Sequence, residues 1–180
     1  VLDGVVTPVC CCAAAPNIGV TTLMDNLIHY MPAANQVSAP AAINPKNGEA
    51  VQVGQDGKFA GQVIKTVIDQ FGKYSIIKVY RGTLSVDTPL YNTNQEKNEK
   101  GTAPGLMRGK KVTPMDKLIA GDIGALSKLQ YTATGDTLCD PSDPVQFAAI
   151  EFPKPCISLA VSAKKQGEED KVFALSLIHI

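Results

Sequence analysis

Arg108, Lys110 and Lys111 stand in the run Gly105-Leu-Met-Arg-Gly109-Lys-Lys, and glycines followed by lysine are the residue types that hold phosphate. A nucleotide-binding loop of that kind needs four residues between its glycines, and a Ser or Thr after the Lys to reach Mg²⁺. Here there are three, and Lys111 occupies the hydroxyl position. The run therefore suits the phosphates of a polymer better than the cradle of one nucleotide. No acidic residue follows the three cations until Asp116. Arg81, Lys97 and Lys100 are further cations at or near the ends of expected strands, although Glu96 and Glu99 interleave with the last two. Lys and Arg on rigid supports meet RNA phosphates without a large ordering cost. Tyr80 and Tyr91 read as core, so backbone contact is expected in preference to base stacking.

Other chemistries find little support. No Ser-His-Asp, Cys-His or paired-carboxylate arrangement can be assembled. His29 follows Asp25 by four residues on a helical pattern, which suits a solvent-facing pair. Cys10, Cys11 and Cys12 are consecutive, and neighbours on a strand point to opposite faces, so they form no Cys-x-x-Cys knuckle. These three, with Cys139 and Cys156, are expected to be small, buried, reduced apolar residues. No catalytic or metal-ligating residue is assigned.

Charge is balanced overall, with 17 basic and 17 acidic residues, but Lys46 to Lys111 holds eleven basic residues against six acidic ones. The middle of the chain is thus locally basic. No apolar run approaches the roughly 18 residues of a membrane span, and no signal peptide is recognisable. A soluble, cytoplasmic protein is expected, with neither membrane nor DNA as partner.

A series of short strands must position these charges. Leu118 to Asp140 (LIAGDIGALSKLQYTATGDTLCD) carries two Gly-Asp turns. Gly121 and Gly135 can take positive φ, and Asp122 and Asp136 can hydrogen-bond the backbone just beyond each turn. Ile123 to Leu126 and Thr137 to Cys139 then read as strands. Phe59 to Ile68 and Tyr74 to Tyr80 read as longer ones, with Gly72-Lys73 as the turn between them. Thr88 to Asn92 supplies another, Asn94 to Gly101 is a charged tip, and Leu106 to Met115 resumes the pattern. Short strands punctuated by turns, without a helical period between them, predict a mainly β fold built on a closed or nearly closed antiparallel barrel.

The flanks differ. Val5 to Cys12 has the profile of a buried strand. Asn17-Ile-Gly opens a helix whose Val20, Leu23, Met24, Leu27, Ile28 and Met31 form one apolar stripe, ended by Pro32. Pro32 to Gly57 reads as a linker or surface loop. Beyond Pro144, Phe152-Pro-Lys-Pro155 is a stiff connector, Ile157 to Ala163 alternates like an edge strand, and Gln166 to Ala174 looks like a helix start.

Three stretches carry a family resemblance. AGDIGAL with TGDTLCD, GKYSIIKVYRGTL (Gly72 to Leu84) and FPKPCISLAV (Phe152 to Val161) resemble the translational GTPases of the elongation factor G type. The first two match the barrel that follows the GTPase domain, and the third matches the start of the third domain. The resemblance implies the end of an α/β GTPase domain with linker over 1–45, a complete domain II barrel over 46–150, and the first strand and helix of a ferredoxin-like domain over 151–174. Residues 175–180 (LSLIHI) depart from the family and resemble the translation of a sequencing-library adaptor. PVCCCAAAPNIGV (Pro8 to Val20) is similar to the family's fifth nucleotide loop, with Cys12, Ala13 and Ala14 in place of Gly-Ser-Ala. Ala14 would offer its N–H to the guanine oxygen, without the serine hydroxyl that Ala13 replaces.

Several expectations follow from the resemblance alone. The parent protein would bind GTP and Mg²⁺, hydrolyse GTP to drive translocation on the ribosome, and use this barrel to couple the GTPase domain to small-subunit RNA. The stretch in hand would be inactive and hold no cofactor, because the phosphate and base-reading loops are not in it. Arg81 stands where the family usually carries Ser, which suggests a divergent paralogue, one that recycles or protects ribosomes being among the alternatives. A free-standing RNA- or protein-binding barrel without GTPase activity is the alternative from another class.

Overall fold

The computed structural model describes residues 1, 4–69, 72–109, 111–158, 160–163, 165, 167–168, 170 and 172, with the side chains of Asn35 and Asp69 left aside. These residues fall into two units, Val1–Ala149 and Ile150–Ile180.

Alternation of apolar and polar residues sets the framework of the first unit. In Gly72–Arg81, every second residue from Ser75 onward is buried, as a strand with one face on a core requires. The strands, in chain order, are β1 (Ala42–Ile43), β2 (Ala50–Val51), β3 (Ala60–Asp69), β4 (Gly72–Arg81), β5 (Thr83–Ser85), β6 (Leu90–Asn92), β7 (Lys97–Glu99), β8 (Gly105–Arg108), β9 (Lys111–Pro114), β10 (Lys117–Ile119), β11 (Ile123–Ser127), β12 (Thr137–Cys139) and β13 (Gln146–Phe147). Eight of them form one antiparallel sheet in the order β7-β6-β12-β3-β4-β11-β8-β9, joined by the ribbons β10-β5 and β13-β1-β2. The sheet curls around Val63, Ile77, Val79, Leu84, Leu126 and Leu138, each no more than 1% exposed. The chain crosses from β7 to β8 beside β11, where the Thr102 N–H donates to the Ser127 carbonyl (3.3 Å). The architecture is the expected mainly β antiparallel barrel.

The two Gly-Asp turns are equivalent. Gly121 and Gly135 have φ of 100° and 95°, which costs glycine little and other residues much. The Gly121 N–H donates to the Val79 carbonyl, and the Val79 N–H to the Asp122 carbonyl. Gly135, Val63 and Asp136 repeat that exchange. Each aspartate carboxylate accepts from the N–H three residues earlier, Ile119 for Asp122 and Ala133 for Asp136, both at 2.9 Å. The carboxylates thus close the turn from behind and do not reach forward, because the backbone beyond each turn is already paired in the sheet.

Several elements differ from the sequence reading. Gly72 and Lys73 are the first residues of β4, with Gly72 opposite Asp69, and do not form the turn. Pro32–Gly57 is more than a linker: β1 within it pairs with β13 and β2, placing Ala42 in a second core with Ala60, Cys139, Val145 and Phe147. Its Pro and Gly residues hid strands too short to show alternation. The charged tip Asn94–Gly101 contains β7, paired with β6.

Val5–Cys12 forms no strand, with Val5 84% and Val9 87% exposed, where a buried strand was expected. A β-branched run becomes a strand only beside a partner for its N–H and C=O groups, and among the described residues no strand lies alongside it. Cys10, Cys11, Cys12 and Cys156 are exposed and only Cys139 is buried, so burial of all five does not hold. Helix α1 (Val20–Tyr30) starts at Gly19, whose φ is 73°, and stops at an extended Met31. Pro32 enforces that stop by disfavouring helical geometry in the residue before it. None of its residues is buried, and Met24, Leu27 and Ile28 lie exposed.

In the second unit, the described residues of Ile157–Ala163 carry no strand. Of the expected helix Gln166–Ala174, Asp170 and Val172 are helical and the Val172 N–H donates to the Glu168 carbonyl (3.1 Å). Gln166, Glu169, Lys171 and 173–180 lie outside the described residues.

Candidate nucleic-acid interface

Strands β8 and β9 form a hairpin in which Arg108 sits directly opposite Lys111. Gly109, with φ of 59°, begins the reversal, and Lys110 lies outside the described residues. The arms are held in register by four pairs from Gly105↔Pro114 to Arg108↔Lys111, and Ala125 of β11 anchors the base at Gly105. Arg108 and Lys111 are exposed, and among the described residues neither has an acidic partner within ion-pair distance. The hairpin context also excludes a phosphate-binding loop, which needs a strand leading into a helix.

The remaining cations divide. Lys97 holds its ammonium 4.1 Å over the Tyr131 ring, and Lys100 is exposed. Lys58 pairs with Asp140 at 3.5 Å. The Asp140 carboxyl lies below the usual range, chiefly because Ser142 hydrogen-bonds it, with Lys58 adding to the effect. Arg81 is a correction: it is 7% exposed and cannot serve as a surface contact. Its Nε donates to the Lys58 carbonyl at 2.8 Å and its Nη2 pairs with Asp143 at 2.8 Å. The side chain falls on the inward face of β4 because Arg81 continues the alternation of Ile77 and Val79.

Ala13 and Ala14 lie in an exposed turn that leads into α1. Ala13 and Ile18 exchange N–H···O bonds of 2.9 and 3.0 Å, and the Ala14 carbonyl accepts from the Asn17 N–H at 3.0 Å. Backbone bonds thus fix the turn without the serine that the family resemblance would supply. No group of three or more potential metal ligands occurs among the described residues, and none of their helices is long and apolar enough to cross a membrane.

Sequence reasoning misses Glu99, whose place among the tip lysines suggests a solvated charge. It is 8% exposed. Its carboxylate accepts from the Gln130 N–H (3.0 Å), the Tyr131 N–H (2.7 Å) and the Thr132 hydroxyl (2.7 Å). Burial alone would raise its pKa, but these donors together outweigh burial and hold it below the ordinary value. Thr132 in turn accepts from Asn92 Nδ2 at 3.2 Å, which also donates to Asp136 at 2.9 Å. The network ties β7 and β6 to the second Gly-Asp turn. The only trace of it in the sequence is the position of Glu99 two residues after Lys97, on the opposite side of the charge pattern from Glu96.

Residues 58–141 match a family model described as elongation factor G domain 2. Elongation factors G from Orientia tsutsugamushi strains Boryong and Ikeda are each 34% identical to the chain over 176 residues, 96% of its length. Residues 58–141 are thus similar to an elongation factor G domain 2. It spans 25% of the length of those relatives. A crystal structure of a Thermus thermophilus protein superposes with a TM-score of 0.62 over 89% of the chain and 22% of that protein, at 20% identity, which speaks to fold alone. Arg81, Glu99, Arg108, Lys111 and both Gly-Asp turns all lie inside the matched domain 2.

Proposed function

We propose that this chain belongs to a cytoplasmic, GTP-hydrolysing translocation factor, in which domain 2 couples the GTPase domain to small-subunit RNA of the ribosome. The observation that carries the reading is the β8–β9 tip, where Arg108 and Lys111 stand exposed and without an acidic partner among the described residues, on a hairpin braced by β11. Cations so placed meet phosphates without first breaking an ion pair or ordering a loop. Arg108, Lys110 and Lys111 together replaced by Ala are expected to weaken association with isolated small subunits. The slope of log affinity against log salt should fall by about one for each phosphate that is no longer neutralised. Sedimentation binding across a salt series measures both, and unchanged affinity and slope would show the tip to be an ordinary solvated face.

GTP and Mg²⁺ belong to the activity of the whole protein in this reading. The residues present do not fit the nucleotide as a unit: Ala13 and Ala14 offer one turn beside a base, and no phosphate loop or Mg²⁺ ligand set occurs in the sequence. Titration of a fluorescent guanine nucleotide into this chain is therefore expected to show no saturable binding at micromolar concentration, since phosphate and metal contacts supply most of the affinity in such sites. Binding at micromolar or tighter concentration refutes this expectation.

A further inference from the structure

A cleft of about 340 Å³ opens between the β6–β7 ribbon and the loops at 45–46 and 141–144, the size of the smaller ligand pockets in proteins. Its apolar walls are Pro45, Pro141, Pro144 and Tyr91, which was expected in the core and is instead only half-buried. Tyr91 packs from behind against the second core, so its ring is held in place before anything binds. Asn98 lies directly opposite Tyr91 in the register of β6 and β7, and Thr93, in the turn that follows β6, also borders the cleft. The Thr93 hydroxyl is buried and has no hydrogen-bond partner, an arrangement that costs stability and is rare in native proteins. Lys46 and Glu96, both exposed, complete the lining.

We infer that this cleft takes one unpaired nucleobase of single-stranded RNA. The inference rests on the reading that domain 2 meets RNA, and names a second point of contact. A fixed tyrosine beside prolines is a stacking platform for a base. Asn98 supplies hydrogen-bonding groups for its edge, Glu96 accepts from an exocyclic amine, as carboxylates do from cytosine, and Lys46 meets the adjoining phosphate. A duplex, whose bases stay stacked, does not fit a slot of this size.

Labelled single-stranded heptamers of cytidine and of uridine, and a labelled RNA duplex, titrated into the intact chain test this. The cytidine heptamer should bind best and the duplex least. Tyr91→Phe should keep the affinity and Tyr91→Leu should lose about tenfold, the usual worth of one stacked base. Thr93→Val should leave single-strand binding unchanged while melting at the same temperature or higher, because it removes an unpaired hydroxyl that is buried away from the cleft. Asn98→Ala and Lys46→Ala are surface changes that keep the fold and should weaken single strands only. The Arg108, Lys110 and Lys111 triple variant should weaken single strand and duplex alike, so either site can fail without the other. Equal binding of duplex and single strand, unchanged binding by Tyr91→Leu, or a polyproline peptide that needs Tyr91 where RNA does not, overturns the proposal.

Discussion

Gly82→Ala is expected to destabilise the barrel by about 2–4 kcal/mol, the sum of a left-handed backbone forced on a side chain and of overpacking. Gly82 has a φ of 69°. A Cβ there would stand 2.5 Å from the Gly57 carbonyl oxygen and 2.9 Å from the Phe59 nitrogen, both backbone atoms. Neither side can give way easily. The Gly82 N–H donates to the Gln55 carbonyl at 2.8 Å and its carbonyl accepts from Ala120 at 3.0 Å, while Arg81 clamps Lys58 next to it. The melting midpoint should fall by roughly 5–15 °C for a chain of this size. A circular dichroism melt with an unchanged midpoint would mean that the 55–59 loop moves aside freely. Arg81→Ala in the same melt separates the two halves of the clamp.

Glu99→Ala is expected to cost about 3 kcal/mol, since it leaves two backbone N–H groups and the Thr132 hydroxyl without their acceptor, and each such loss is worth roughly 1–3 kcal/mol before water replaces part of it. Glu99→Gln keeps an acceptor and should cost less. The effect should be local as well as global: faster amide exchange at Gln130 and Tyr131, and loss of the seat that holds Tyr131 under Lys97. The sign of the pH dependence follows from the lowered pKa. The folded carboxylate binds its proton less readily than the unfolded one, so its stabilisation is complete well above the ordinary value of 4.5. It is lost as pH falls from there through the lower folded pKa. Urea midpoints measured from neutral pH into that acid range should converge for wild type and Glu99→Ala. Parallel curves would place the origin of the acid sensitivity elsewhere, with Asp140 the next carboxylate to test.

Both positions show how legibility in this sequence depends on whether a signal is local. The barrel was readable because turn chemistry and alternation act within a few residues: Gly121-Asp122 and Gly135-Asp136 mark their reversals by backbone freedom and a short carboxylate, and β11 and β12 start where the apolar runs start. The same holds for α1, whose stop is written in Pro32. The tip cations were readable as exposed because no acid neighbours Arg108 or Lys111 in sequence, and the hairpin register then placed the two opposite one another.

What the tertiary structure decided was burial, since that depends on residues distant in the chain. Arg81 and Glu99 have the same charges as their surface neighbours, and only the approach of Lys58, Asp143 and the 130–132 loop turns them into interior groups. Glu96 and Glu99 are three residues apart, yet one is exposed and the other holds a loop. β1 is two residues long and carries no pattern of its own; β13, more than a hundred positions away, makes it a strand. Conversely, Val5–Cys12 has every local feature of a strand and forms none, because hydrogen bonds to a neighbouring strand, and not propensity alone, make a sheet.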